Sequence, residues 1–216
     1  MILFLDTISP KPKFILFDNN KIVQRLHILK KDELKISDHI HSKFLELKNK
    51  NNLYNSLDKL IVCKGPGSFT SLRIGISFML GISYSRNLPI YSLSSIDILG
   101  SFVLEKNFYN TIILTCSSNK QNFISIPHDK NKKKYLTYKF DEKYILKKNN
   151  FKFFLNCITN FPINVNIKKN IYTINKKIKF IEKKIENNLV KNLNFSKKQN
   201  FIIQPEYISE NKIFDE

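Results

Sequence analysis

The chain has 216 residues, with 36 lysines and arginines against 18 aspartates and glutamates, a net charge of +18, and 42% hydrophobic residues. That length closes one domain or two small lobes around a core, and that apolar content excludes a wholly disordered chain. No apolar run reaches the ~18 residues of a membrane-spanning helix. The start lacks a basic region ahead of its apolar residues, and Asp6 interrupts them too early for a secretory signal, so a cytoplasmic protein is expected.

Residues 2–5 form a short apolar run ending at Asp6 and Thr7, and prolines at 10 and 12 break the ladder because proline has no N–H to give. Residues 14–17 follow, then a polar turn at 18–21, then residues 22–29 with partial alternation. Two apolar runs across a short Asp/Asn turn predict a hairpin, and with the first run a three-stranded meander. Residues 37–48 predict a helix, with Ile40, Phe44 and Leu47 at helical spacing and Ser37 as its cap. A strand at 57–63 leads into Gly65-Pro66-Gly67-Ser68-Phe69-Thr70, and residues 72–84 predict a buried helix apolar nearly all round.

A strand at 90–93 is followed by a helix that Ser94 caps, with Asp97 three residues on. Strand, helix, strand, helix, strand after a meander predicts crossover connections. Beyond about residue 105 the pattern loosens, and we set a lobe boundary there, 1–105 and 106–216. Strands are predicted at 112–115, 123–126, 135–140, 151–155 and 171–174, and a basic amphipathic helix at 176–189.

The positive charge has two competing sources. Clustered lysines suit nucleic acid. The chain, however, has no alanine, no tryptophan and only Arg25, Arg73 and Arg86 as arginines. An AT-rich genome produces that profile unselected, and the lysine-rich runs at 132–134, 147–150 and 176–179 then read mostly as solvated surface.

Three of the five glycines, Gly65, Gly67 and Gly75, fall within one strand-to-helix segment although the composition disfavours glycine. Ser68 or Thr70 is placed to cap the helix, and Arg73 lies in its first turn, where it opposes the helix dipole. The segment reads equally as a phosphate- or partner-facing loop and as a tight turn with glycines for packing. It fits neither GxxxxGK[ST] nor GxGxxG.

The runs ILFLDT at 2–7, GPGSFTSLRIG at 65–75 and NLPIYSLSSIDIL at 87–99, with QPEYI at 204–208, resemble the bacterial TsaB family. The resemblance implies a two-lobed α/β fold of the actin, Hsp70 and sugar-kinase superfamily, with a mixed sheet and helices in each lobe and a divergent C-terminal lobe. It implies a non-catalytic partner of TsaD, which makes N6-threonylcarbamoyladenosine at position 37 of tRNAs reading codons that begin with A. TsaE is a further expected partner, tRNA is met through the complex, and a homodimer forms when TsaD is absent. It implies no catalytic residue, no metal and no cofactor of its own, with ATP or ADP at the partner interface left open.

Carried onto this chain, a nucleotide would meet Asp6, Thr7, Gly65, Gly67, Ser68 and Thr70. The partner would meet His41, Phe44, Phe69, Leu72, Arg73, Ile76, Phe78 and Met79 on the helices starting near Ser37 and Thr70. Ile8 and the prolines replace the small polar continuation of a phosphate loop, which favours a structural aspartate at Asp6. Cys116, Ser117 and Ser118 stand where the family pattern has Asp-Ala-Arg. His39 and His41, two apart, face opposite sides of a helix and cannot grip one ion. Cys63, Cys116 and Cys157 give neither a disulfide framework nor a zinc spacing. The rival readings are a small ATP-dependent phosphotransferase or ATPase and a basic tRNA-binding module.

Overall fold

The computed structural model describes residues 1–30, 35–51, 53–117, 121–131, 134–140, 152–184, 189 and 203–208. Strands β1 (Ile2–Asp6), β2 (Lys13–Asp18) and β3 (Lys21–His27) make the predicted meander. Asn19 and Asn20, both at positive φ, form the two-residue turn between β2 and β3, with Asp18 opposite Lys21. Asparagine tolerates that left-handed backbone, and its twist suits a hairpin. Helices α1 (Ile36–Asn51) and α2 (Leu53–Ser56) lead to β4 (Lys59–Cys63), which lies parallel to β1. Helix α3 (Phe69–Arg86) crosses back to β5 (Ile90–Leu93), parallel to β4, so the crossovers are as expected. The sheet order is β3-β2-β1-β4-β5.

After α4 (Ser95–Gly100) and a 3-10 turn at Glu105–Asn110, the scheme repeats. Strands β6 (Thr111–Cys116), β7 (Asn122–Asp129) and β8 (Lys134–Lys139) form a second antiparallel meander. β9 (Asn156–Thr159) lies parallel to β6, helix α5 (Val165–Ile174) follows, and β10 (Lys179–Glu182) lies parallel to β9. The second order, β8-β7-β6-β9-β10, is the first one again. This duplication is the two-lobed α/β fold that the resemblance implied. The C-terminal lobe keeps the five strands, and its helix α5 is ten residues long against eighteen for α3.

Three apolar clusters follow from the alternation of each strand. Leu3, Leu5, Phe14, Leu16, Leu60 and Val62 face α1, α2 and α3, where Phe14, Phe44 and Phe78 pack with centroids 5.5–6.1 Å apart. Phe4, Ile15, Phe17 and Ile61 face the other way and merge through Ile98 and Leu99 of α4 with Ile113 and Ile158 of the second sheet. Ile112, Leu114 and Cys157 cover α5 through Ile167 and Ile171.

Several expectations are corrected. Lys152 and Phe153 form a 3-10 turn, residues 154–155 are irregular, and the strand begins at Asn156; residue 151 lies outside the described residues. Residues 171–174 end helix α5 instead of forming a strand: Ile167 and Ile171, four apart, both turn inward, a helical period that β-branched residues disguise. The helix expected at 176–189 is replaced by β10 where its backbone pairs with β9, tertiary pairing overriding local pattern; residues 185–188 lie outside the described residues. Ser37 lies inside α1, and its hydroxyl donates to Asp38 instead of capping. Ser68 stands at the cap of α3 without a side-chain cap bond, whereas Ser94 caps α4 by accepting from the Ile96 N–H at 3.1 Å.

Helix α3 is not apolar all round: Leu72, Ile76 and Met79 turn inward, while Phe69, Arg73, Ser77, Gly81 and Ser85 make an exposed row. No helix among the described residues is long and apolar enough to cross a membrane.

Candidate functional site

The loop at 64–68 is held from three sides, each by a stretch singled out in the sequence. The Ser95 N–H and hydroxyl donate to the Gly65 carbonyl at 2.8 and 3.1 Å, tying the loop to the start of α4. The Glu206 N–H donates to the Lys64 carbonyl at 2.7 Å, and the Glu206 carboxylate pairs with Lys64 at 2.8 Å. Gly65 has φ +138, and a Cβ there would lie 2.7–2.8 Å from the Cβ and carbonyl oxygen of Glu206. Glycine is required for both reasons. At Gly67 a Cβ would meet Ile8 Cγ2 at 1.9 Å, so the first hairpin turn and this loop touch backbone to side chain.

The first turn is closed upon itself. Asp6, fully buried, accepts from the N–H groups of Ile8 and Ser9 at 3.1 and 3.0 Å and from the Ser9 hydroxyl at 2.5 Å. Thr7 donates its hydroxyl to the Ser71 carbonyl at 2.8 Å. The amides a phosphate would need are spent on Asp6, and the Ile8 side chain fills the space beside Gly67. Across the cleft, facing Asp6, Ile8 and Ser9, stand Thr115, Cys116 and Asn160, and the space between them is too tight to admit a small molecule. The buried Thr115 hydroxyl, without a partner among the described residues, is too little to hold a nucleotide there. The residues do not fit one: Asp6 and Thr7 serve the turn, while Ser68 and Thr70 lie at the start of α3, Ser68 half-buried and Thr70 exposed.

Burial, and next the charge of Asp6, push the Cys63 thiol well above its ordinary range, leaving it a small core residue. His41 is exposed, and among the described residues no group of three histidines, cysteines or carboxylates is placed to hold a metal ion.

Of the residues expected at an interface, the structure separates two sets. Leu72, Ile76 and Met79 are at most 5% exposed and form part of the core, so they cannot reach a partner. Phe44 and Phe78 are half-buried in the aromatic cluster. His41, Phe69 and Arg73 remain open. The Arg73 guanidinium lies 3.7 Å from the Phe69 ring centroid, and the Tyr207 ring stacks on Phe69 at 4.8 Å. Arg73 Nε donates to the Tyr207 hydroxyl at 3.4 Å. Placing Arg73 in the first turn of α3 costs a few tenths to about 1 kcal/mol against the dipole, which this stacking offsets. The sequence marked residues 204–208 as a motif but gave no sign that they return to the Gly65 loop, because that contact spans more than 130 residues of chain.

The profile of the family described as TsaD, tRNA N6-adenosine threonylcarbamoyltransferase, matches residues 37–149, about half of the chain. The chain belongs to this family, in its TsaB branch. Curated relatives named tRNA threonylcarbamoyladenosine biosynthesis protein TsaB are similar to it. They are those of Bacillus subtilis (40% identical over 45 residues) and of Buchnera aphidicola from Acyrthosiphon pisum (27% over 95) and from Baizongia pistaciae (32% over 88). The matches span 21%, 44% and 40% of this chain and only 20%, 43% and 40% of those relatives' length. Two solved Pseudomonas aeruginosa structures are also similar. One is YeaZ, at TM-score 0.43 and 16% identity, covering 65% of this chain and 60% of that one. The other is a protein described as similar to peptidase YeaZ, at TM-score 0.45 and 15% identity, covering 65% and 59%. The segments that resemble TsaB are those that converge on the Gly65 loop.

Proposed function

We propose that the chain is a non-catalytic partner subunit. It scaffolds and activates TsaD in forming N6-threonylcarbamoyladenosine at position 37 of tRNAs that read codons beginning with A. The observation that carries this is the self-satisfied turn: Asp6 and Thr7 have their hydrogen bonds inside the chain and offer a reacting group nothing. The names of its curated relatives supply the pathway. Docking uses the outer faces of α1 and α3, where His41, Leu45, Arg73 and Tyr84 are exposed, Tyr84 at 91%. In this reading the protein works in the cytoplasm, pairs with itself through the same helices when TsaD is absent, admits TsaE to the complex, and meets tRNA and any ATP or ADP only through the assembled partners.

The test is size-exclusion chromatography with light scattering on the chain mixed with TsaD of the same organism at micromolar concentration. A 1:1 species is expected. Separate elution of both proteins across several salt and nucleotide conditions overturns the reading.

A further inference from the structure

The second lobe carries most of the positive charge. Residues 1–105 hold 14 lysines and arginines against 9 acids, and residues 106–216 hold 22, all lysines, against 9. A base-composition bias acts on both lobes alike, so it does not account for where those lysines meet in space.

Five of them meet at one end of the second sheet, where the parallel strands β6, β9 and β10 begin. Lys106 lies on the 3-10 turn before β6, Lys152 on the turn before β9, and Lys176, Lys177 and Lys179 on the stretch that enters β10. Hydrogen bonds tie the three segments together. The Leu155 N–H donates to the Asn110 carbonyl at 2.8 Å, and the Lys179 N–H donates to the Leu155 carbonyl at 2.8 Å. Asn175, 6% exposed, donates through Nδ2 to the carbonyls of Phe154 and Lys152 at 2.5 and 3.4 Å, and its Oδ1 accepts from the Lys177 N–H at 3.0 Å.

The five lysines are exposed, and among the described residues none of their ammonium groups is in an ion pair. In the first lobe, by contrast, Lys43 and Lys50 are neutralised by Glu46, and Lys64 by Glu206. On the three segments, 105–110, 152–155 and 175–179, Glu105 is the single acid. The duplicated topology supplies an internal comparison. The segments that enter β4 and β5, 57–59 and 87–90, hold Lys59 as their one lysine, and there the Met1 amine closes on Asp58. The fold itself therefore does not require a basic end.

Apolar side chains stand open among these lysines: Phe153 is 70% exposed and Tyr109 56%. A phenylalanine beside ammonium groups, on a turn fixed by Asn175, offers a face on which an unstacked base can lie while the lysines meet phosphates. Lysine acts as a point charge suited to phosphate and is depleted at protein interfaces, which favours RNA over an acidic protein.

Resting on the partnership proposed above for the identity of the RNA, we infer that this end of the second lobe is an RNA-contact surface. In the assembled complex an unpaired stretch of the tRNA lies across it, with phosphates on the five lysines and a base against Phe153. The cleft between Asp6 and Thr115 lies at the other ends of the strands, where β1 and β6 finish, so the RNA is held at the far end of the lobe from the cleft.

The experiment titrates a fluorescein-labelled tRNA transcript with the complex of this chain and TsaD, by fluorescence anisotropy, between about 50 and 200 mM KCl. Three variants are compared with wild type: the triple Lys152→Gln, Lys176→Gln and Lys177→Gln; Phe153→Ala; and a charge-matched control in the first lobe, Lys11→Gln, Lys21→Gln and Lys30→Gln. Every substituted side chain is exposed, and thermal melts verify that each variant is folded. The triple variant loses at least about ten-fold in affinity, and its slope of log affinity against log salt flattens by about 2, at roughly 0.7–0.9 for each phosphate contact removed. Phe153→Ala loses about five-fold with the slope unchanged, because a stacked base releases no counterion. The control stays within about two-fold of wild type. Should one patch variant fail to fold, the other reads the same surface. An equal loss in the control shows diffuse attraction and overturns the inference. Wild-type affinity in both patch variants overturns it and leaves the partnership standing. Loss of the 1:1 complex with TsaD in the patch variants, read by light scattering, assigns the surface to a protein and also overturns it. If the wild-type chain forms no complex with TsaD, the partnership falls, and the same titration on the chain alone decides the surface by the same criteria.

Discussion

Replacing Gly67 by alanine tests the closure between the first hairpin turn and the Gly65 loop. The new Cβ would lie 1.9 Å from Ile8 Cγ2 and 2.8 Å from Ile8 Cβ, and Ile8 is buried in the cluster shared by both sheets. A β-branched side chain cannot swing a γ-methyl away without leaving its rotamer, so the turn and the loop must part. Overpacking of this kind costs about 1–3 kcal/mol, a roughly 5- to 150-fold fall in the folding equilibrium. For a chain of this size that is about 2–12 °C in melting temperature. Urea unfolding followed by far-ultraviolet circular dichroism measures it, since the chain has no tryptophan to report fluorescence.

The decisive control is a double-mutant cycle. Ile8→Ala alone costs about 2–5 kcal/mol as a truncated core residue. It also removes Cγ2, so the double variant loses about 1–2 kcal/mol less than the sum. Ile8→Val keeps Cγ2 and gives no such relief. Additivity within about 0.5 kcal/mol, or rescue by valine as good as by alanine, refutes the steric account.

Two further outcomes are expected. Asp6→Ala leaves the buried Ile8 and Ser9 amides without their acceptor and costs about 1–3 kcal/mol or more. Asp6→Asn keeps one acceptor oxygen and costs less, and denaturant melts separate the two; a larger loss for Asn refutes the account of the turn. Glu46, hydrogen-bonded to Lys50 and Lys43, is held down from 4.5 to about 2. Its folded-state value lies below its unfolded one, so its stabilising contribution is full above about pH 4.5 and is lost as the pH falls towards 2. Glu46→Gln flattens stability against pH across that window, and a nuclear magnetic resonance titration with Glu46 at an ordinary carboxyl value refutes the pairing.

What was legible in the sequence is local. The Asn19-Asn20 turn, the Ser94 cap and the β4–α3–β5 crossover each carry their signal within a few residues. The segments that misled are those whose state depends on remote partners. β10 is a strand because β9 lies beside it, and α5 hides its period behind isoleucine and tyrosine in a chain without alanine to advertise helices. At the candidate site the residue types were legible and their destinations were not. Asp6, Thr7 and Gly67 stood out as chemistry, yet their donors and acceptors close on Ile8, Ser9 and Ser71. Asp6 closes locally on Ile8 and Ser9, while Thr7 on Ser71 and Ile8 against Gly67 are set by how the first turn meets a loop sixty residues away.

The apolar cluster running from Phe4, Ile15 and Ile61 through α4 to Ile113 and Ile158 has a mechanical consequence. A hinge between the two sheets cannot open without wetting those side chains, at roughly 25 cal/mol for each Å² of apolar surface exposed. Separating the two lobes therefore has an energetic cost that grows with the area of this seam. Anything that touched both α3 and the second sheet would meet them at the spacing the seam sets.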